Sequence, residues 1–412
     1  MKFIDYKIKE ISKVMAGGDK PKVCSDVYSD ETPIPIYSNG MENEGLYGYT
    51  DVPKVEGDTV TISARGVNVG KVSYRETPFL PIVRLLSLIP DRKLIYVKYL
   101  YYYLKTVNIS GTGSAQPQVT VPMISDLQIH IHKDIDEQKK IASFLSTLDD
   151  KIKINNQINR NLSEQAKALF KEKFLVIDCM PLDWKEMTLE DVSILNAGGD
   201  KPKVVSEIRS EECTVPIYSN GISNEGIYGF TTDAKIINES VTVSARGTIG
   251  FVCLRQEPYV PIVRLISVVP KENIMTAKYL YLWLESLHIM GTGTTQQQLT
   301  VPDFKKTRII VPPIQKIREF TDLVNPIYEN ILRNKKENEK LSELRDNLLP
   351  KLMSGELDVS DLDILLLRQM VIYLIYCKQY IKSNLAMLAC QKIRVSFQIF
   401  AHIPKQKWLF PN

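Results

Sequence analysis

The sequence contains little of what stabilises exported proteins or crosses membranes. Six cysteines occur in 412 residues and none forms a Cys-x-x-Cys pair, so neither a disulfide framework nor a paired-cysteine zinc site is indicated. The first residues carry charges where a signal peptide needs an apolar core, and no run of about 18 apolar residues occurs. We therefore expect a cytoplasmic protein that makes no contact with a membrane.

Catalytic motifs are also scarce. The chain has four histidines and lacks the Gly-x-x-x-x-Gly-Lys-Ser/Thr loop of an ATPase. His130 and His132 have a spacing that could bind a metal ion, but Ile310 and Pro312 occupy the equivalent places in the second half of the chain. One exposed strand face is the simpler interpretation of the two histidines. The sequence predicts no catalytic residues, no metal site and no cofactor bound by the chain itself.

What the sequence does contain is an internal repeat. Residues 14–122 reappear as residues 195–302 with roughly half of the aligned positions identical. The longest matches are Gly17–Lys22 with Gly198–Lys203, Pro35–Gly40 with Pro216–Gly221, and Pro81–Leu85 with Pro261–Leu265. Because the copies are this similar, we expect them to bind chemically similar targets. Two similar binding domains on one chain indicate a target with two parts.

Each copy has the composition of short strands. Val, Ile, Thr and Tyr are frequent, and clusters of Gly, Pro, Asn and Asp interrupt them about every ten residues. Thr59–Ser63 alternates with period two and predicts a strand, which Ser240–Ser244 repeats. Val97–Leu104 and Ala277–Leu284 predict short helices whose aromatic side chains face a core.

A helical pattern follows each copy. From Glu137 to Lys173 and again from Ile314 to Leu349, apolar residues recur at alternating spacings of three and four, a rhythm typical of paired helices. Both segments carry two asparagines at matching places, Asn155 and Asn159 in the first and Asn334 and Asn338 in the second. Buried asparagines fix the register of paired helices, so we expect the two helices to pack antiparallel. Pro326 predicts a kink in the second one.

These patterns predict an α+β fold with a pseudo-twofold axis, in which two long antiparallel coiled-coil-like helices separate two similar β-rich domains. The tail after Asp363 has no counterpart in the first half and is either an additional helix or a non-native extension. The predicted segments are a β-rich domain over residues 1–135, a helical region over 136–175, a second β-rich domain over 176–312, a second helical region over 313–357, and an atypical tail over 358–412.

The duplicated polar residues are the types that bind phosphates or read base edges. Arginine can bond guanine O6 and N7 together, and asparagine or glutamine can do the same for adenine N6 and N7. The candidate DNA-binding residues are Lys20, Lys22, Ser38, Asn39, Arg65, Arg84, Gln116 and Gln118 in the first copy and Lys201, Lys203, Ser219, Asn220, Arg246, Arg264, Gln296 and Gln298 in the second. Two alternatives stay open: Gly17-Gly18-Asp19 forms only a turn, and Arg84 and Arg264 form structural salt bridges.

Several segments resemble the specificity subunit of type I restriction-modification systems over about residues 1–360. Pro181–Lys185 resembles the start of a second target-recognition domain, and Gly291–Leu299 the loop near its end. Pro312–Ile317 is similar to the start of that family's conserved helical region, and Leu344–Leu357 to its end. The first copy departs at His132–Gln138, where the two prolines are missing.

The resemblance implies that the β-rich domains are target-recognition domains for double-stranded DNA. It also implies a complex in which two modification subunits bind S-adenosylmethionine and methylate adenine, and restriction subunits use ATP and Mg²⁺ for translocation and cleavage. The half-sites are then expected to be similar inverted sequences, made unequal by differences such as Tyr28 against Arg209 and Lys71 against Phe251. The alternatives are a coiled-coil scaffold that binds proteins, a modification-only system, or a self-sufficient methyltransferase or nuclease.

Overall fold

The computed structural model describes residues 2–40, 42–111, 117–176, 179–287, 289–290 and 298–357. Contacts divide the chain into two compact units, the first made of residues 1–153 with 338–412 and the second of residues 154–337. Each unit contains one copy of the repeat and a part of each of two long helices. The predicted tail lies outside the described residues, and the segment boundaries drawn from the sequence stay a prediction.

The described part of unit 1 forms three small sheets with short helices. Its elements are β1 (Phe3–Lys7), α1 (Ile8–Ile11), β2 (Ser12–Ala16), β3 (Ile34–Tyr37), β4 (Leu46–Thr50), β5 (Thr59–Ile62), β6 (Val72–Arg75), β7 (Leu80–Pro81), β8 (Leu86–Pro90), α2 (Val97–Thr106), α3 (Val121–Ser125), β9 (Gln128–His132) and the start of α4 (Ile135–Phe170). Strand order is β2-β8-β5-β6 in an antiparallel sheet, β4-β3-β7 in a second sheet, and β1-β9 in a third. In the second sheet β3 and β7 run parallel.

Unit 2 repeats this topology. Its elements are β10 (Lys185–Thr188), α5 (Leu189–Val192), β11 (Ser193–Ala197), β12 (Val215–Tyr218), β13 (Ile227–Thr231), β14 (Ser240–Val243), β15 (Val252–Arg255), β16 (Val260–Pro261), β17 (Ile266–Pro270), α6 (Ala277–Ser286), α7 (Val301–Lys305), β18 (Arg308–Val311) and the start of α8 (Ile314–Ser354). The orders β11-β17-β14-β15, β13-β12-β16 and β10-β18 match those of unit 1. The predicted α+β fold with two similar domains is confirmed.

The first core shows why these segments fold as predicted. All four residues of β5 are buried because this strand of β-branched side chains lies between β8 and β6, a position that favours such residues. Helix α2 covers the sheet with Tyr99 and Leu100, both fully buried. The aromatic residues of α2 and of α6 therefore do belong to the core.

The long helices join the cores at both of their ends. In unit 1, Ile141 and Leu145 of α4 and Leu349 and Leu352 of α8 lie in one apolar cluster. A π-helical turn, Lys171–Leu175, continues α4. Helix α8 runs without interruption through Pro326, and in unit 2 its first half packs with the last part of α4.

Asparagines lie between the two helices as the sequence predicts. Asn155 and Asn334 are 1% and 7% exposed. The amide Nδ2 of Asn334 donates to Oδ1 of Asn159 at 2.8 Å, and Nδ2 of Asn155 donates to Oε2 of Glu337 at 3.0 Å. Residue 155 of α4 pairs with residue 337 of α8, and residue 159 with residue 334. The two helices are therefore antiparallel within unit 2, and this prediction is confirmed.

The expectation of one exposed face for the two histidines holds only for His130. Its ring is exposed and stacks on Phe3 with 4.8 Å between ring centroids. His132 is fully buried, and its Nε2 lies 3.2 Å from the carbonyl oxygen of Leu352 at the end of α8. The expectation was wrong for His132 because α8 covers this end of β9. Within the described ranges, no helix is both long and apolar enough to cross a membrane.

Candidate nucleic-acid interface

The turn after β7 is the most unusual backbone feature of unit 1. Val83 and Arg84 have φ values of 52° and 60°, and Val263 and Arg264 have 51° and 61°. The left-handed region is unfavourable by about 1–2 kcal/mol for a residue with a Cβ, and a β-branched residue there is a genuine outlier. The tight turn is closed by a 3.0 Å hydrogen bond from Leu85 N to the Ile82 carbonyl. Strain of this kind is typical of functional sites.

The turn presents its two central side chains to solvent. Val83 and Val263 are each 52% exposed, and Arg84 and Arg264 are exposed as well. Neither arginine forms an ion pair within the part of the chain that the structure describes. The alternative of a structural salt bridge at Arg84 and Arg264 is therefore wrong, since a salt bridge would require a carboxylate beside each guanidinium.

The glycine pair of each repeat supports this turn. Val83 N donates to the Gly18 carbonyl at 2.9 Å, and Gly17 N donates to the Leu85 carbonyl at 2.8 Å. A Cβ on Gly17 would lie 2.7 Å from the carbonyl carbon of Pro81, a separation that only glycine permits. Gly17 and Gly18 are thus the backbone partner of the turn, which agrees with the simpler of the two interpretations left open for them.

A lysine that the sequence analysis missed lies beside each glycine pair. A Cβ built on Gly18 would be 3.5 Å from Nζ of Lys54, and one on Gly199 would be 3.7 Å from Nζ of Lys235. Both lysines are exposed. Their identical position in the two copies was the signal that could have identified them.

Asn39 connects the turn to a second loop. Its Nδ2 donates to the Val83 carbonyl at 2.6 Å, and its Oδ1 accepts from Ala64 N at 2.8 Å. Asn220 makes the same two bonds, to the Val263 carbonyl at 2.6 Å and from Ala245 N at 2.8 Å. Reading an adenine requires an amide oxygen and an amide N–H that face the base, whereas here both face the protein backbone.

The loop held by Asn39 carries an arginine that meets a glutamine. Nε of Arg65 donates to Oε1 of Gln118 at 3.1 Å. In unit 2, Nη2 of Arg246 donates to Oε1 of Gln298 at 3.2 Å. An arginine has five N–H donors, so most of its donors stay available for another acceptor. Gln116 and Gln296, the other two candidate glutamines, lie outside the described residues.

The candidate serines belong to the turn after β3 and its counterpart after β12. Ser38 N donates to the Gly45 carbonyl at 2.8 Å, and its hydroxyl is 3.4 Å from the same oxygen. Ser219 has the same relation to Gly226, with the same distances. In this structure each serine therefore closes a loop of its own domain.

A buried arginine lies beneath this turn in each unit. The Arg75 guanidinium is 4% exposed and lies 3.7 Å from the centroid of the Tyr37 ring. Its Nη2 donates to the Glu44 carbonyl at 2.7 Å. Burial lowers the pKa of Arg75. Arg255 repeats these contacts, so this duplicated arginine serves the fold.

The four candidate lysines lie at the surface. Nζ of Lys20 is 5.1 Å from the centroid of the Tyr47 ring, and the hydrogen bond with that tyrosine raises the pKa of Lys20. Lys22, Lys201 and Lys203 are exposed. All four remain available to a polyanion.

Two equivalent surfaces result. We call Lys54, Arg65, Arg84 and Gln118 the basic face of unit 1, and Lys235, Arg246, Arg264 and Gln298 the basic face of unit 2. Asn39 and Asn220 hold the loops of these faces together. Lysine and arginine supply phosphate contacts, and arginine and glutamine supply contacts to base edges. Within the described residues, no group of His, Cys, Asp and Glu could hold a metal ion.

Comparison with known proteins places this geometry in context. A family model described as the type I restriction modification DNA specificity domain matches residues 2–164 and again residues 181–343. A putative type I specificity subunit of Mycoplasma pneumoniae is 27% identical over 336 residues, which cover 80% of this chain and 90% of the relative. The specificity subunit of a type I restriction enzyme of Methanocaldococcus jannaschii is 26% identical over 346 residues, covering 74% of this chain and 78% of the relative.

A solved structure has the same fold. The S subunit of a type I restriction-modification system from M. genitalium matches with a TM-score of 0.54 and 19% identity, covering 85% of this chain and 96% of the other. Each of the two family matches contains one of the basic faces, including its arginine turn, its Arg–Gln pair and its asparagine.

Proposed function

This chain belongs to the family of type I restriction-modification DNA specificity proteins, and we propose that its two units read the two halves of one bipartite DNA target. As a member of that family it is the DNA-recognition subunit and not the catalyst. One observation carries the proposal. The same lysine, two arginines and glutamine are gathered around the same asparagine in both units.

Identical side chains at equivalent positions favour similar half-sites. An arginine that bonds guanine O6 and N7 discriminates against other bases by about 1–3 kcal/mol. Since Arg65 and Arg246 occupy equivalent positions, as do Arg84 and Arg264, the contacts they make select equivalent bases. We therefore expect two near-symmetric half-sites in inverted orientation.

Neighbouring differences make the half-sites unequal in detail. In unit 1 the exposed ring of Tyr28 lies edge-on to Tyr49, with 5.8 Å between centroids. In unit 2 the equivalent Arg209 lies over the Phe230 ring at 5.1 Å. A tyrosine and an arginine offer different hydrogen-bonding groups, so bases beside these side chains differ between the half-sites.

The remaining candidate residues fall into three groups. Lys20, Lys22, Lys201 and Lys203 contact phosphates, which fixes position without selecting sequence. Asn39, Asn220, Ser38 and Ser219 act within the protein by holding the loops that carry the readers. Gln116 and Gln296 stay candidate DNA-binding residues on the strength of the sequence alone.

The proposal extends to the complex. Two modification subunits bind along α4 and α8, and they bind the S-adenosylmethionine that this chain does not. Restriction subunits use ATP and Mg²⁺. We place the complex in the cytoplasm with its DNA target. Exposed polar side chains recur between buried apolar ones along both helices, which supports a surface for other subunits.

Long-read sequencing of adenine methylation tests the proposal. Cells express this chain with its modification subunit, and control cells express the modification subunit alone. A new split motif with near-symmetric halves is the expected result. No new motif, although the two proteins still copurify, contradicts the proposal and favours a scaffold that binds proteins without reading DNA.

A further inference from the structure

The two turn tips, Val83–Arg84 and Val263–Arg264, share an unusual backbone and an unusual choice of residues. Each has two consecutive residues with positive φ, neither of them glycine, asparagine or aspartate. Each presents a valine that is half exposed, so the strain is not offset by burial in the core. Glycine or asparagine would adopt this backbone more readily. The turn therefore presents valine and arginine at positions where the backbone would favour glycine or asparagine.

Three of the four backbone polar groups of the tip are hydrogen-bonded to the protein. In unit 1, Val83 N donates to the Gly18 carbonyl and Arg84 N donates to the Gly17 carbonyl, at 2.9 and 3.2 Å. The Val83 carbonyl accepts from Asn39 at 2.6 Å. With these three groups bonded to the protein, the two exposed side chains are the main groups that the tip offers to a ligand. The tip therefore presents one apolar side chain beside one guanidinium on a backbone that is hydrogen-bonded to the rest of its unit.

We propose that this two-residue tip enters the major groove and reads two adjacent base pairs. The valine contacts a thymine methyl group, and the arginine bonds O6 and N7 of a guanine. This inference rests on the proposed function and names the readers within each basic face. The thymine methyl group and guanine O6 and N7 are accessible only in the major groove. Each half-site then contains a base pair with thymine next to one with guanine.

The valine distinguishes base reading from phosphate binding. A phosphate gains nothing from an exposed apolar side chain, whereas thymine methyl groups make apolar contacts with residues of this kind. A tip that served phosphates alone would not need valine at a position where the backbone disfavours it. The same pair of residues occurs in both units.

Arg84→Lys is the first test. Lysine keeps the positive charge but cannot form the bidentate contact of arginine. The complete complex methylates a DNA library in which the first half-site is randomised. We expect the preference for guanine at one position of that half-site to fall by about tenfold or more, the size of one good bidentate contact. Preferences in the second half-site should be unchanged.

Arg92→Lys is the matched control, since it makes the same change of side chain outside the basic face. Arg92 is 69% exposed beyond the end of β8 that lies away from the tip, and it pairs with Asp58 at 3.4 Å. The variant should keep every preference in both half-sites. If Arg84→Lys instead lowers methylation equally on all sequences, Arg84 binds phosphate and the inference is overturned.

Val83→Asn separates reading from folding. Asparagine tolerates positive φ, so the variant should keep or raise the melting temperature of the complex. It should also lose the preference for thymine beside the guanine read by Arg84. An unchanged preference at that position would overturn the role of the valine.

The two proposals fail in different ways. If the unaltered complex produces no split motif, the proposed function fails. If it produces a split motif that both tip variants leave unchanged, the proposed function stands and only the inference about the tip is wrong.

Discussion

Asn39 and Val83 are joined by a 2.6 Å hydrogen bond from the side-chain amide to the backbone carbonyl, although 44 residues separate them along the chain. The other end of the same amide accepts from Ala64 N at 2.8 Å. One side chain therefore fixes the distance between the Val83–Arg84 tip and the loop that carries Arg65. Asn220 fixes the equivalent distance in unit 2.

Replacement of Asn39 should loosen one basic face only. Asn39→Ala leaves the Ala64 N–H and the Val83 carbonyl without their partner, at an expected loss of about 1–3 kcal/mol in local stability. Hydrogen exchange of residues 60–66 and 80–86 should become faster, and discrimination in the first half-site should decline. The corresponding peptides of unit 2 should exchange as before.

Asn220→Ala is the matched control for this variant, because Asn220 makes the equivalent two hydrogen bonds in unit 2. Asn220→Ala should transfer the defect to the second half-site. Equal losses in both half-sites after Asn39→Ala would show that the asparagine acts on the whole chain and does not position one face.

Arg65 should contribute to sequence selection. Arg65→Ala is expected to weaken binding to the first half-site by about 1–3 kcal/mol if the guanidinium reads a base. The measurement is the Kd of the complex for DNA with the intact half-site and for DNA with single-base changes in it. A loss of equal size on all sequences, with a shallower dependence on salt, would assign Arg65 to phosphate.

Gln118→Ala tests whether the glutamine reads DNA or aligns Arg65. If alignment through the 3.1 Å bond is its role, the double variant with Arg65→Ala should be no weaker than Arg65→Ala alone. Additive losses would show that Gln118 makes its own contact with DNA.

Lys54 should act through charge. Lys54→Gln is expected to weaken binding to all sequences alike and to reduce the slope of log K against log salt by about one. Lys93→Gln is the control, since Lys93 is exposed beyond the far end of β8 and should leave the slope unchanged. A sequence-dependent effect of Lys54→Gln would contradict a phosphate role.

Much of the fold followed from local patterns. Thr59–Ser63 was predicted as a strand from its alternation, and α2 and α6 from their aromatic spacing, because a buried surface on one element imposes a period that is visible in sequence. The two long helices were predictable for the same reason, since their apolar residues recur at alternating spacings of three and four. The buried Asn155 and Asn334 interrupt an apolar seam, and such interruptions are recognisable.

The candidate interface was predicted less completely. The residue type of Asn39 indicates that it forms hydrogen bonds, but a sequence does not show whether the amide faces a base or its own backbone. The positive φ of Val83 runs against the preference of valine, so no local rule predicts it. His132 is covered by Leu352, 220 residues away, and burial by a distant segment is invisible to a local pattern.

A polar network in unit 1 gives the last prediction. Nη1 of Arg345 lies 2.6 Å from Oδ1 of Asp149, and the Tyr102 hydroxyl donates to Oδ2 of the same carboxylate at 2.6 Å. Arg345 and Asp149 are 17% and 29% exposed. Burial raises the pKa of Tyr102, and the Asp149 carboxylate raises it further. The equivalent residues of unit 2 are Ala166, Tyr328 and Leu282, so unit 2 has no charged group at this place.

Removal of Arg345 alone should therefore destabilise unit 1 more than removal of both Arg345 and Asp149. Arg345→Leu leaves a mostly buried carboxylate without its cation and should destabilise unit 1 by about 2–3 kcal/mol, somewhat below the value for fully buried pairs. Arg345→Leu with Asp149→Leu should recover much of that loss, because an apolar replacement of a buried pair is often neutral. Hydrogen exchange of residues 97–106 and 141–153 measures both variants, with residues 277–286 of unit 2 as the internal reference. A double variant less stable than Arg345→Leu would mean that the network holds α2, α4 and α8 together in a way that apolar packing cannot replace.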